Sequence, residues 1–156
     1  MSRTLISILF LFSLQVALSQ DYSKAADCAY SIDLSDFFSG TIPAPLGHGE
    51  IKEIKGNDLG NKHFFTEEHN TYWFDITFNQ DTEFEFIITP EFAEDDYDFL
   101  VFFDSTGNFC EDIINNTTFP VPTNLSRVKP EEGSITGLKK GARKTFESAG
   151  RGETYS

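Results

Sequence analysis

The chain has 156 residues, with 12 basic and 25 acidic side chains and a formal net charge of −13 at pH 7. A surface of that sign repels phosphate backbones and makes nucleic acid a poor partner. Its 17 Phe, 5 Tyr and 1 Trp supply enough apolar surface to argue against a disordered chain despite the charge.

Residues 1–19 read as a cleaved secretory signal. Arg3 provides a short positive start, residues 5–18 a mostly apolar centre, and Ala17-Leu18-Ser19 a small-x-small cleavage site, so the mature chain is expected to begin at Gln20. The apolar run is shorter and more interrupted than the roughly 20 residues of a membrane span. The expected destination is therefore outside the cell, or the periplasm or outer membrane. Losing Arg3 leaves 11 basic against 25 acidic side chains, a formal charge of −14, on a single domain's length of chain. Cys28 and Cys110 are the only cysteines. In an exported chain they are expected to form a disulfide. That bond would close a loop of about 83 residues and contribute about 4 kcal/mol through loop entropy.

In chain order, apolar residues at 28, 30, 32 and 34 have the period of two of a first strand. Residues 37–60 are rich in Gly, Pro, Asn and Asp and read as loop, within which Ile51, Glu53 and Ile54 are expected to touch the core. Gly56-Asn57-Asp58 reads as a turn before a short strand at 62–65. Tyr72, Phe74, Ile76 and Phe78 alternate with Thr71, Trp73, Asp75 and Thr77, as in a half-buried strand. After a turn at Asn79-Gln80-Asp81, Phe84, Phe86 and Ile88 alternate in the same way, and the pair predicts an antiparallel hairpin ended by Pro90.

The acidic run Glu94-Asp95-Asp96-Tyr97-Asp98 then turns the chain into residues 99–103, apolar on both faces and expected to form a central buried strand. Residues 104–108 form a turn, and 109–114 a short strand or helical turn that returns Cys110 to the core. Residues 115–156 show little periodicity and contain Pro120, Pro122 and Pro130, so they are predicted to be mostly loop. Asn115, Asn116 and Asn124 each open an N-glycosylation triplet, read here as loop composition. Four or five predicted strands fall short of the roughly seven or eight of a two-sheet sandwich. The expected fold is all-β, a jelly-roll-like β-sandwich forming a single domain over 20–156 and lacking its last strands.

The mature region resembles the bacterial pre-peptidase C-terminal-like β-sandwich that opens secreted and outer-membrane proteins. The matching pieces begin with Asp27-Cys28, Ala44-Pro45-Leu46-Gly47 and Gly56-Asn57-Asp58-Leu59. They continue with Glu68-His69-Asn70-Thr71-Tyr72-Trp73-Phe74, Asp95-Asp96-Tyr97-Asp98-Phe99 and Gly107-Asn108-Phe109-Cys110-Glu111-Asp112-Ile113. Thr123-Asn124-Leu125-Ser126-Arg127, Gly137-Leu138 and the closing Gly150-x-Gly152-x-x-Tyr155-Ser156 follow in the same order. The resemblance covers nearly all of the mature chain and implies further strands after residue 156. It also implies a downstream partner within a longer polypeptide, such as a peptidoglycan-binding OmpA-like domain.

Three sets of residues are candidates for chemistry. Asp95, Asp96 and Asp98 on one bend could offer Ca²⁺ the hard oxygen ligands it prefers, although their spacing is not that of an EF-hand. Trp73, exposed on its strand, could stack on a sugar ring; packed inward, it would be core. His48, His63 and His69 lack zinc-site spacing, and no Gly-x-Ser-x-Gly occurs. No catalytic or cofactor-binding residue is assigned. The leading expectation is a non-catalytic exported module for cell-surface or periplasmic binding or spacing, with a glycan or surface protein as its external partner. A carbohydrate-binding module is the second reading and a small secreted hydrolase the third.

Overall fold

A computed structural model of the chain describes residues 22–34, 39–55, 67–127, 134–142 and 144–156. The expected signal at 1–19, the turn at 56–58, the short strand at 62–65 and His63 lie outside the described residues. The described part is β-rich with little helix. After a 3₁₀ turn at Cys28–Tyr30 come β1 (Ile32–Asp33), β2 (Phe74–Asp75), β3 (Phe86–Ile88) and β4 (Phe99–Leu100). Helix α1 (Phe109–Ile114) follows, then β5 (Thr123–Arg127), β6 (Thr136–Leu138) and β7 (Phe146–Arg151). They form three small sheets: β1 parallel to β2, β3 antiparallel to β6, and β4-β5-β7 with β5 in the middle.

Several expectations change. The first half of the expected 27–34 strand is the 3₁₀ turn, which leaves only two residues for β1. The hairpin is absent. β2 pairs with β1, and β3 finds β6 about fifty residues downstream in the register Phe86↔Leu138 and Ile88↔Thr136. The strand at 99–103 is not buried on both faces: β4 is the edge of its sheet, Phe99 is buried, and Phe103 is 69% exposed. Residues 109–114 take the helical alternative.

The largest change concerns residues 115–156, which were expected to be mostly loop and instead supply β5, β6 and β7. Their strands have no alternation because β5 is buried as a polar strand. Thr123, Asn124, Leu125 and Ser126 are 0%, 1%, 7% and 2% exposed. A buried polar group is stable only with its hydrogen bonds made, and residues 152–156 make them. The Asn124 Nδ2 donates to the carbonyls of Glu153 (3.0 Å) and Thr154 (3.3 Å). Its Oδ1 accepts from the Ser126 N–H (3.0 Å) and lies 2.7 Å from the Ser126 hydroxyl.

Residues 152–156 also join two sheets. The Ser156 hydroxyl donates to the Thr123 carbonyl at 2.7 Å, while its N–H donates to the Gly137 carbonyl at 3.1 Å. Its carbonyl accepts from the Lys139 N–H at 3.0 Å, so Tyr155 forms a parallel bridge to β6. Gly152 permits this crossing, since a Cβ there would stand 2.4 Å from the Ser126 Cβ. Phe86 of β3 meets Phe99 of β4 edge-on, with ring centroids 4.8 Å apart, and adds an apolar link between the same two sheets.

Asn124→Ala removes an amide whose four hydrogen-bonding positions are all used, and strands its partners in a dry site. The expected loss is about 2–4 kcal/mol, read as a lower urea midpoint with an unchanged slope. A midpoint equal to that of the parent chain would contradict the role given to Asn124.

Candidate functional site

The apolar core lies against β4. It gathers Cys28, Ile54, Trp73 and Ile113, flanked by Leu100, Phe102, Phe109 and Cys110. Cys28 and Cys110 are disulfide-bonded with Cα atoms 5.7 Å apart, fastening the N-terminal 3₁₀ turn to α1. Trp73 is 9% exposed. Its ring lies 6.2 Å from that of Phe102 and 6.1 Å from that of Phe109, measured between centroids. Stacking on a sugar would require Trp73 to leave this core. The alternation of Tyr72, Phe74, Ile76 and Phe78 suggested the opposite face, yet Phe74 and Phe78 are 43% and 48% exposed. With only two residues in β2, the period of two has no strand to propagate along.

The acidic corner is a surface feature. Asp95 is half-buried, and Asp96 and Asp98 are exposed. The Asp95 N–H donates to the Phe92 carbonyl at 3.1 Å, closing the bend. Burial first, and then the charges of Asp95 and Glu91, push the Tyr97 hydroxyl pKa up. Among the described residues no group of three or more His, Cys, Asp or Glu side chains is placed to hold a metal ion. The three aspartates do not converge into the ligand set calcium takes.

Three other carboxylates are buried beside the core. Asp27 (5% exposed) accepts the N–H groups of Glu50 (3.1 Å) and Ile51 (2.8 Å). The loop that presents them reaches Asp27 through Gly49, where φ is +75° and a Cβ would stand 2.2 Å from the Asp27 Oδ1. Glu53 (3% exposed) accepts the Cys28 N–H at 2.9 Å through Oε1. Glu68 (1% exposed) accepts the N–H groups of Glu53 (3.0 Å) and Ile54 (3.2 Å) through Oε2. Each carboxylate does the work of a missing ladder, fastening loop backbone that would otherwise be unpaired.

Burial is the largest cause raising the pKa of both Glu53 and Glu68. The Cys28 N–H pulls Glu53 back down, and the charges of Glu68 and Asp27 push it up again. For Glu68 the opposing influences are the Ile54 and Glu53 N–H groups and the side chains of Thr71 and Trp73. The Trp73 Nε1 lies outside hydrogen-bond geometry with any acceptor, so its effect on Glu68 is one of proximity.

Sequence reasoning brought Glu53 and Ile54 to the core, and both are buried; Ile51, expected with them, is 46% exposed. Glu68 carried no signal, because a buried glutamate and a solvated one look alike when no apolar neighbours surround them in sequence. No protein-family model, curated protein or solved structure matches the chain.

Replacing both Cys28 and Cys110 by Ala is expected to cost about 2–5 kcal/mol. Trp73 emission should then move to the red at a lower denaturant concentration than in the oxidised parent. An unchanged transition would show that the core does not depend on the bond.

Proposed function

We propose that the mature chain is a non-catalytic exported module of β-sandwich type, used for binding or spacing at the cell surface or in the periplasm as part of a longer protein. The observation that carries this reading is how the buried carboxylates are used. Asp27, Glu53 and Glu68 are buried and bonded to backbone N–H groups, an architectural use of these acids. The disulfide suits an oxidising compartment.

Phe74, Phe78, Ile87, Phe92, Phe103 and Phe119 are each more than 40% exposed, and the three sheets remain open, which suits a module that works against a neighbouring surface. The pre-peptidase C-terminal-like resemblance points to the same role. The carbohydrate-binding reading loses its stacking residue, since Trp73 is covered by Phe102 and Phe109.

Expressed in an exporting bacterium, the full chain is expected in the periplasmic or extracellular fraction. Its intact mass should begin at Gln20 and carry no free thiol. A cytoplasmic product that keeps residues 1–19 and two reactive thiols would overturn the proposal.

A further inference from the structure

The folded body starts within a few residues of the expected mature end. The Tyr22 carbonyl accepts the Ala25 N–H at 3.0 Å, and the Lys24 carbonyl accepts the Asp27 N–H at the same distance. Ala25 and Ala26 are both 2% exposed. The Ala25 carbonyl takes the Trp73 N–H at 2.8 Å, Asp27 holds the Glu50 and Ile51 N–H groups, and Cys28 carries the disulfide. The Tyr22 ring lies 6.2 Å from that of Tyr72, centroid to centroid. Residues 22–28 are thus a strap fastened to the Trp73 core. Gln20, expected to lead the mature chain, lies outside the described residues and stands two positions ahead of this strap in sequence.

We propose that Gln20 is a modification site: once the signal is removed, it closes to pyroglutamate and caps the strap against aminopeptidases. This modification depends on export as proposed above, because only signal removal frees the Gln20 α-amino group. An ordinary α-amino group has a pKa of about 7.7–8.0, so an appreciable share is unprotonated and nucleophilic at neutral pH. Its nitrogen attacks the side-chain carbonyl carbon of the same residue, at the high effective concentration of an intramolecular reaction. The new C–N bond closes a five-membered lactam, and the bond to the side-chain amide nitrogen breaks. That nitrogen leaves as ammonia, taking the proton given up by the attacking amine. No oxidant, reductant or co-reactant is needed. Asparagine in the same place would have to close a four-membered ring. The product has lost the terminal positive charge and the primary amine that an aminopeptidase recognises. Erosion of an uncapped end would run towards Ala25 and Asp27, whose bonds to Trp73, Glu50 and Ile51 hold the core loops.

The test exports the full chain from a bacterium, holds the purified oxidised product at neutral pH for several days and analyses its N-terminus by mass spectrometry. The expected product starts at Gln20, is lighter by one ammonia and gives no signal in stepwise N-terminal degradation. Treatment with a pyroglutamyl aminopeptidase should then expose Asp21 as the new first residue. A product that starts at Gln20 with its amine intact, or at another cleavage point, overturns the modification and leaves export standing. One that keeps residues 1–19 overturns both. Gln20→Ala tests the capping role, since it leaves a free α-amino group that cannot cyclise. Exposed to a broad-specificity aminopeptidase, this variant should lose residues from its end while the parent keeps its full mass. Equal trimming of the two chains, or equal resistance, overturns the capping role.

Discussion

Asn124 sets the condition that the β-rich half of this protein has to meet. Its side chain can make four hydrogen bonds, two given and two accepted, and from a fully buried position it makes them to Glu153, Thr154 and Ser126. Burying that amide is tolerable only while residues 152–156 lie across β5. Once there, the same residues pair with β6 through Tyr155 and Ser156. The three-stranded sheet and the β3–β6 pair are thereby joined by hydrogen bonds that no apolar pattern announces. Phe86 against Phe99 is the apolar supplement to this joint.

The loop around Asp27, Glu53 and Glu68 solves an equivalent problem with charge. Asp27 and Glu68 accept four N–H groups of residues 47–55, from Glu50, Ile51, Glu53 and Ile54. Glu53 in turn holds the N–H of Cys28, whose sulfur is bonded to α1 through Cys110. Carboxylates hold backbone N–H groups strongly, but burying several of them close together works against the fold. The disulfide and the Trp73 core lie alongside, and they keep this corner closed against that repulsion.

What could be read in the sequence follows from the kind of force involved. Two cysteines permit only one intramolecular bond, and Cys28–Cys110 is formed. Ile54 and Glu53 could be placed in the core from their position in an otherwise polar loop. β5 was invisible because Thr-Asn-Leu-Ser-Arg has the composition of a turn, and the glycosylation triplet at Asn124 strengthened that impression. Only the partner residues, nearly thirty positions later, show why this Asn is inside. The 72–78 and 84–88 segments misled for the opposite reason. Their alternation was real, but strands of two or three residues pair according to what lies beside them, and Trp73 went inward because the disulfide and Phe109 were there to cover it.

Amide hydrogen exchange on the oxidised chain tests the polar framework most directly. Buried hydrogen-bonded strands open only with large-scale unfolding, whereas fraying ends exchange almost at once. The amides of Ser126, Lys139 and Ser156 are expected to exchange together and to be among the slowest in the protein. Fast exchange at Ser156 and Ser126, with protection confined to the neighbourhood of Trp73 and the disulfide, would contradict the central place given to Asn124.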